Sequence, residues 1–187
     1  PDLVCVISGG IMGGPNPISN EYESQRENLS IESIRKESLD KIILLFEKAS
    51  KLNITLGLEP IGSWEILKKG HLNSISSCLK LIKNNNHKLI VDLYHSFTDT
   101  NLDTFIKKSP KLGLLQFSNI KFDEHFRPVG RKSINKLNNT NNIDLARYLK
   151  HVFNRKDKVK IEFEIFNTDI EVSPKLIIEN LKNEILS

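Results

Sequence analysis

The chain has 187 residues, of which 39% are hydrophobic and 27% charged, and a formal net charge of +4. This is the composition of a globular protein, and it excludes a largely disordered chain. It also excludes a membrane-spanning one, because no apolar run approaches the ~20 residues that a membrane helix needs. The length allows one sizeable core, so a single domain over 1–187 is expected. Its pI near 9.0 favours anionic partners, but the lysines are scattered and form no stripe. A phosphorylated small molecule therefore suits the charge as well as nucleic acid does. Position one is Pro, and no charged-then-apolar leader follows it, which points to residues upstream and to a cytoplasmic protein. Cys5 and Cys78 lack zinc-type spacing and are expected to be buried free thiols in a reducing compartment.

Leu3 to Gly10 is a β-branched apolar run closed by paired glycines, the pattern of a buried strand. A polar, Gly/Pro-containing connection over 11–28 follows. From Ser30 to Leu52 the apolar residues (Ile31, Ile34, Leu39, Ile42, Ile43, Phe46, Ala49) fall at helical spacing. Ile54 to Pro60 reads as a strand, Asn73 to Lys83 as a helix, and His87 to Asp92 as the next strand. A short helix from Thr100 and a strand over Leu112 to Asn119 come next. Residues 120–141 read as a long polar loop, 142 onward as a helix, and Val159 to Phe166 as the last strand. Ser173-Pro174 is a helix start, a capping residue followed by proline in the first turn.

Strand and helix thus alternate five times, which predicts a parallel sheet with right-handed crossovers. An open doubly wound sheet would carry a Gly-rich phosphate turn directly after its first strand. Gly9, Gly10, Gly13 and Gly14 have the wrong spacing for it. In a barrel, functional groups come from the carboxyl ends of several strands. Four runs here end on an oxygen-bearing side chain: Glu59, Asp92 (with His95 three residues on), Gln116 and Glu164. That placement selects an α/β barrel. Because a (β/α)8 barrel takes eight strands, the five found here correspond to its last five βα units. The rest would lie upstream or come from another chain.

The segments LGLEP (Gly57 to Pro60 at its core), VDLYH (Val91 to His95), LLQFSN (Leu114 to Asn119), Arg127-Pro128-Val129-Gly130 and IEFEIFN (Ile161 to Asn167) stand in a telling order. In that order and spacing the chain resembles the sugar phosphate isomerase/epimerase family of xylose isomerase-like TIM barrels, beginning at the family's fourth strand. The resemblance implies one divalent metal held by Glu59, Asp92, Gln116 and Glu164. It also implies that Glu59 and Glu164 handle protons and that His95 and Arg127 contact substrate oxygens. With Gln116 in the shell every ligand is oxygen, which favours Mn2+ or Mg2+ over zinc. The implied reaction is aldose–ketose isomerisation or ketose epimerisation through an enediolate. The partner would be a small sugar or sugar phosphate rather than nucleic acid or membrane, and assembly into a homo-oligomer stays open.

Three departures from the family pattern bear on substrate and turnover. Asn119 replaces the usual acid after QFS, Arg131-Lys132 follows Gly130 where Asp-Gly is common, and Gly62-Ser63-Trp64 replaces His-Pro-Met. A catalytically silent sugar-binding barrel and an endonuclease IV-like metal hydrolase are the alternatives. The hydrolase needs a histidine-rich zinc cluster, and the loop Asp123 to Arg127 lacks its Asp-x-His pair. Each candidate also has a bland reading. A strand-end acid such as Glu59 is commonly solvated, Gln116 by itself suits a hydrogen-bonded core amide, and a loop arginine such as Arg127 defaults to the surface. Asp92 is the exception, because a carboxylate after Ile90-Val91 is costly to bury without a cation. Glu162 shares a strand face with Glu164 and is expected to pair with Lys160 or Lys88. The other histidines, at 71, 87, 125 and 151, lie in polar stretches and receive no role.

Overall fold

All five apolar runs become strands, shorter than the runs themselves. The computed structural model describes residues 2–11, 30–83, 85–132, 143–164, 175 and 179. These fall into two units, Pro1–Ile90 and Val91–Ser187.

In the first unit, β1 (Val4–Val6), β2 (Leu56–Leu58) and β3 (Lys88–Asp92, which crosses the unit boundary) pair in parallel, with Val6 opposite Leu58 and Leu58 opposite Leu89. Helix α1 (Ile31–Lys51) begins where the Ser30 hydroxyl accepts the Ser33 N–H at 3.1 Å. Glu32 in its first turn and Lys48 and Lys51 in its last complement the helix dipole. Ile34, Ile42, Phe46 and Ala49 make its buried face. The helix stops in a Schellman turn. Asn53 takes φ 54, its N–H reaches Ser50 O at 3.1 Å, and Ile54 N–H reaches Ala49 O at 2.9 Å. Helix α2 (Ile75–Ile82) is capped by Ser74 and buries Ile75, Cys78 and Ile82.

His87 belongs to this core and not to a polar surface. Its Nδ1 accepts the Leu56 N–H at 3.1 Å, while Nε2 lies 2.9 Å from Phe46 O and 3.1 Å from Ser50 Oγ. It thereby ties α1 to β2. Of the two thiols, Cys78 is buried as expected but Cys5 is exposed. Among the described residues of this unit β1 pairs with β2 alone, and Val4 and Cys5 are exposed, so the strand is not the buried one that its apolar run predicts.

In the second unit Asp92 caps α3 (Leu93–Ser96), a single buried turn. Helix α4 (Leu102–Lys108) and strand β4 (Leu112–Phe117) follow as the sequence predicts. The stretch read as a loop instead folds back on itself. Strands β5 (Asn119–Phe122) and β6 (Pro128–Lys132) form an antiparallel hairpin with Ile120 opposite Arg131. Its tip is organised by Asp123, whose carboxylate accepts the N–H groups of His125 and Arg127, each at 2.9 Å. Helix α5 (Leu145–Phe153) is capped by Asp144, and β7 (Lys160–Phe163) pairs in parallel with β4, Gln116 opposite Glu162. Lys175 and Glu179 are helical, whereas the predicted start at Ser173-Pro174 and the end of the last strand run lie outside the described residues.

Candidate functional site

The second unit gathers three of the candidate residues. Asp92 ends β3 and is fully buried. Its Oδ1 accepts the Tyr94 N–H at 2.9 Å, which leaves Oδ2 to other partners. His95 is on the same turn and also buried, with Nε2 3.9 Å from Asp92 Oδ2. Glu164 follows β7, held there by its own N–H bonding Phe117 O at 3.0 Å, which continues the β4–β7 ladder by one residue. Its Oε2 lies 3.1 Å from Nη2 of Arg131, and that same nitrogen donates to Asp92 Oδ2. Two carboxylates from different strand ends therefore meet at one positive centre.

That centre is Arg131, which the sequence reading did not assign. Its side chain is only 5% exposed, and the guanidinium carbon stands 4.7 Å from the centroid of the Tyr94 ring. The arginine expected here, Arg127, lies elsewhere. It sits 70% exposed at the hairpin tip, with Nε donating to Asp123 Oδ2 at 2.7 Å. The reason is the hairpin itself, which holds Arg127 in its turn and carries Arg131 back along β6. The available signal was the break in the family pattern after Gly130, where an acid gives way to arginine.

Gln116 behaves as an oriented amide. Its Nε2 donates to Glu162 Oε2 at 3.1 Å, so Glu162 pairs with its cross-strand neighbour and not with the lysine expected for it. The Gln116 Oε1 is buried and has no hydrogen-bond partner among the described residues. A buried carbonyl oxygen without a donor is under-satisfied, and a hard cation is one partner that would satisfy it. Carboxylates, a carboxamide oxygen and an imidazole are donors that a divalent ion accepts, so the residues present fit one.

Glu59 is carried by the first unit. It follows β2, is 8% exposed, and its N–H reaches Val6 O at 2.9 Å. The thiol of Cys5, a residue given no functional role from the sequence, donates to Glu59 Oε2 at 3.2 Å.

No family model matches the chain, and no curated protein does. Solved structures do match in fold. A protein from Sinorhizobium meliloti 1021 superposes with a TM-score of 0.62 at 15% identity, over 95% of this chain and 75% of its own. The 3-keto-D-glucoside 4-epimerase of E. coli gives 0.60 at 16% identity, over 98% of this chain and 63% of its own. A xylose isomerase domain containing protein of Salmonella typhimurium gives 0.58 at 14% identity, over 99% and 62%. The chain thus spans less than two thirds of the length of the latter two. Its fold is that of the xylose isomerase-like TIM barrels, as the motif order implied. No helix among the described residues is long and apolar enough to cross a membrane.

Proposed function

We propose that the protein is a metal-dependent sugar or sugar-phosphate isomerase or epimerase that works by moving a carbon-bound proton. The observation that carries the reading is the convergence of Asp92 and Glu164 on one cationic centre, with His95 beside Asp92. The likeness in fold to a sugar epimerase supports the same class. A divalent ion would be held by Asp92, Glu164 and Gln116, with Glu59 from the first unit as the fourth ligand that the sequence resemblance assigns. Bound there, it would supply Lewis-acid stabilisation of the oxyanion that develops at the substrate carbonyl.

The chain's own groups account for the proton. Glu164 takes it from the carbon next to the carbonyl, and the electron pair of the broken C–H bond passes into an enediolate of the sugar. Glu59 returns a proton, to the opposite face of that carbon for epimerisation or to the neighbouring carbon for isomerisation. His95, held by its short helix and buried beside Asp92, donates to a sugar oxygen and fixes which carbon faces Glu164.

The test is exchange of substrate C–H protons with deuterated solvent, followed by NMR over a panel of ketoses and ketose phosphates with Mn2+ or Mg2+. Exchange detects both reactions because both share the abstraction step. Glu164→Gln should lower it by at least ~100-fold, the usual contribution of a positioned acid–base group. A Glu164→Gln protein that exchanges at the full rate, or a wild-type protein that binds a sugar and exchanges nothing, would overturn the reading.

A further inference from the structure

Arg131 is built into the site and is not a loose surface side chain. β6 delivers it opposite the buried Ile120, Tyr94 packs against its guanidinium, and only 5% of its side chain is exposed. Nη2 donates to Asp92 Oδ2 and lies 3.1 Å from Glu164 Oε2, the two carboxylate oxygens that would hold the metal. The other Asp92 oxygen already accepts the Tyr94 N–H. Ion and guanidinium thus call on the same atoms.

The shared oxygens make the two exclusive. A divalent ion bound to Asp92 Oδ2 and Glu164 Oε2 would stand against Arg131 Nη2, and two cations at that distance repel one another. The same ion in place of Arg131 leaves the two carboxylates neutralised. Like charges forced together in a poorly solvated site are costly, and so is either carboxylate left with no counter-charge. We propose that Arg131 is an internal counter-cation, holding Asp92 and Glu164 together until a divalent metal displaces its guanidinium. The inference rests on the reading of those two carboxylates as metal ligands and adds the device that holds them in the metal-free protein.

Two measurements on the full chain test it. The first is Mn2+ affinity, read from the EPR signal of the free ion, for wild type and Arg131→Gln. Removing the competitor should tighten binding by about tenfold or more. Equal or weaker binding by the variant overturns the competition while leaving the metal reading intact. If neither protein binds Mn2+, the metal reading falls and takes the exchange with it. The second uses wild type alone, so it does not depend on the variant folding. Phenylglyoxal modification of Arg131, mapped by peptide mass spectrometry, should be slow without metal and accelerate when Mn2+ is added. A rate that Mn2+ leaves unchanged shows that the guanidinium never leaves, and it overturns the proposal.

Discussion

Gln116 gives its side-chain N–H to Glu162, directly across the β4–β7 ladder, and keeps its carbonyl oxygen buried with no partner among the described residues. The carboxylate thereby fixes which end of the amide faces inward. If that oxygen is a ligand, Gln116→Leu should weaken Mn2+ binding by roughly tenfold, and Glu162→Ala, which only frees the amide to rotate, by a similar factor. Gln116→His should retain binding and shift preference towards Zn2+. Metal competition titrations decide it, and unchanged Mn2+ affinity in Gln116→Leu would make Gln116 a core amide after all.

Gly57 lets β3 approach β2. A Cβ at this position would come within 2.6 Å of Ile90 Cγ1 and 2.7 Å of its Cδ1. Gly57→Ala should therefore destabilise the protein by about 1–3 kcal/mol, the cost of overpacking a filled interior. Ile90→Val removes the Cδ1 atom, so the double variant should recover part of that loss and the two changes should be non-additive. Thermal denaturation of the four proteins in the cycle measures the coupling, and strict additivity would mean that Ile90 is not what Gly57 accommodates.

Much of the fold was legible because burial on both faces leaves a plain mark. Strands such as Leu89-Ile90-Val91 must be continuously apolar, and α1 shows its buried stripe and its Ser30 cap in the sequence. The β5–β6 hairpin was not legible. Its strands hold four and five residues, only Asn119 and Ile120 are buried as whole residues, and a register shift near Phe122 breaks any alternation. That one omission explains why Arg127 was expected at the site and Arg131 was not. A hairpin decides which residues of a polar stretch return to the sheet, and composition does not record where it turns. Glu162 was misread for a related reason. Its partner depends on the β4–β7 register, which a single strand does not specify.

Asp103 joins α4 to α5. Its carboxylate meets Lys107 Nζ at 2.8 Å, His151 Nε2 at 2.8 Å and Arg147 Nε at 2.8 Å. The Lys107 bond first, then those of His151 and Arg147, hold its carboxyl well below the usual carboxylate range. A depressed carboxyl binds fewer protons in the folded chain than in the unfolded one, so its contribution is complete above the unfolded value of ~4 and fades as pH falls below it. The network is largely solvated, so Asp103→Asn should cost about 1 kcal/mol at pH 7. Urea titrations should show the gap between wild type and Asp103→Asn narrowing as the pH is taken from 7 to 3. A gap independent of pH would assign the loss to packing.

His71 acts in the same direction as Asp103, at a higher pH. Its backbone N–H bonds Ser8 Oγ at 2.8 Å, and its Nε2 is buried with no hydrogen-bond partner among the described residues. Burial, and after it the positive charge of Arg35, lowers the imidazole's proton affinity. The folded chain therefore keeps this ring neutral where the unfolded chain, titrating near ~6.5, takes up a proton. Excess proton binding by the unfolded state means that stability rises with pH through this region. The stabilisation is complete above about pH 6.5 and is lost as pH falls from there towards the folded value. Hydrogen exchange of the Pro1–Ile90 unit should accordingly report falling protection between about pH 7.5 and 5.5, after correction for the intrinsic rate. In His71→Gln, which cannot titrate, that slope should flatten. An unaltered slope in the variant would mean that another group carries the acid sensitivity of this unit.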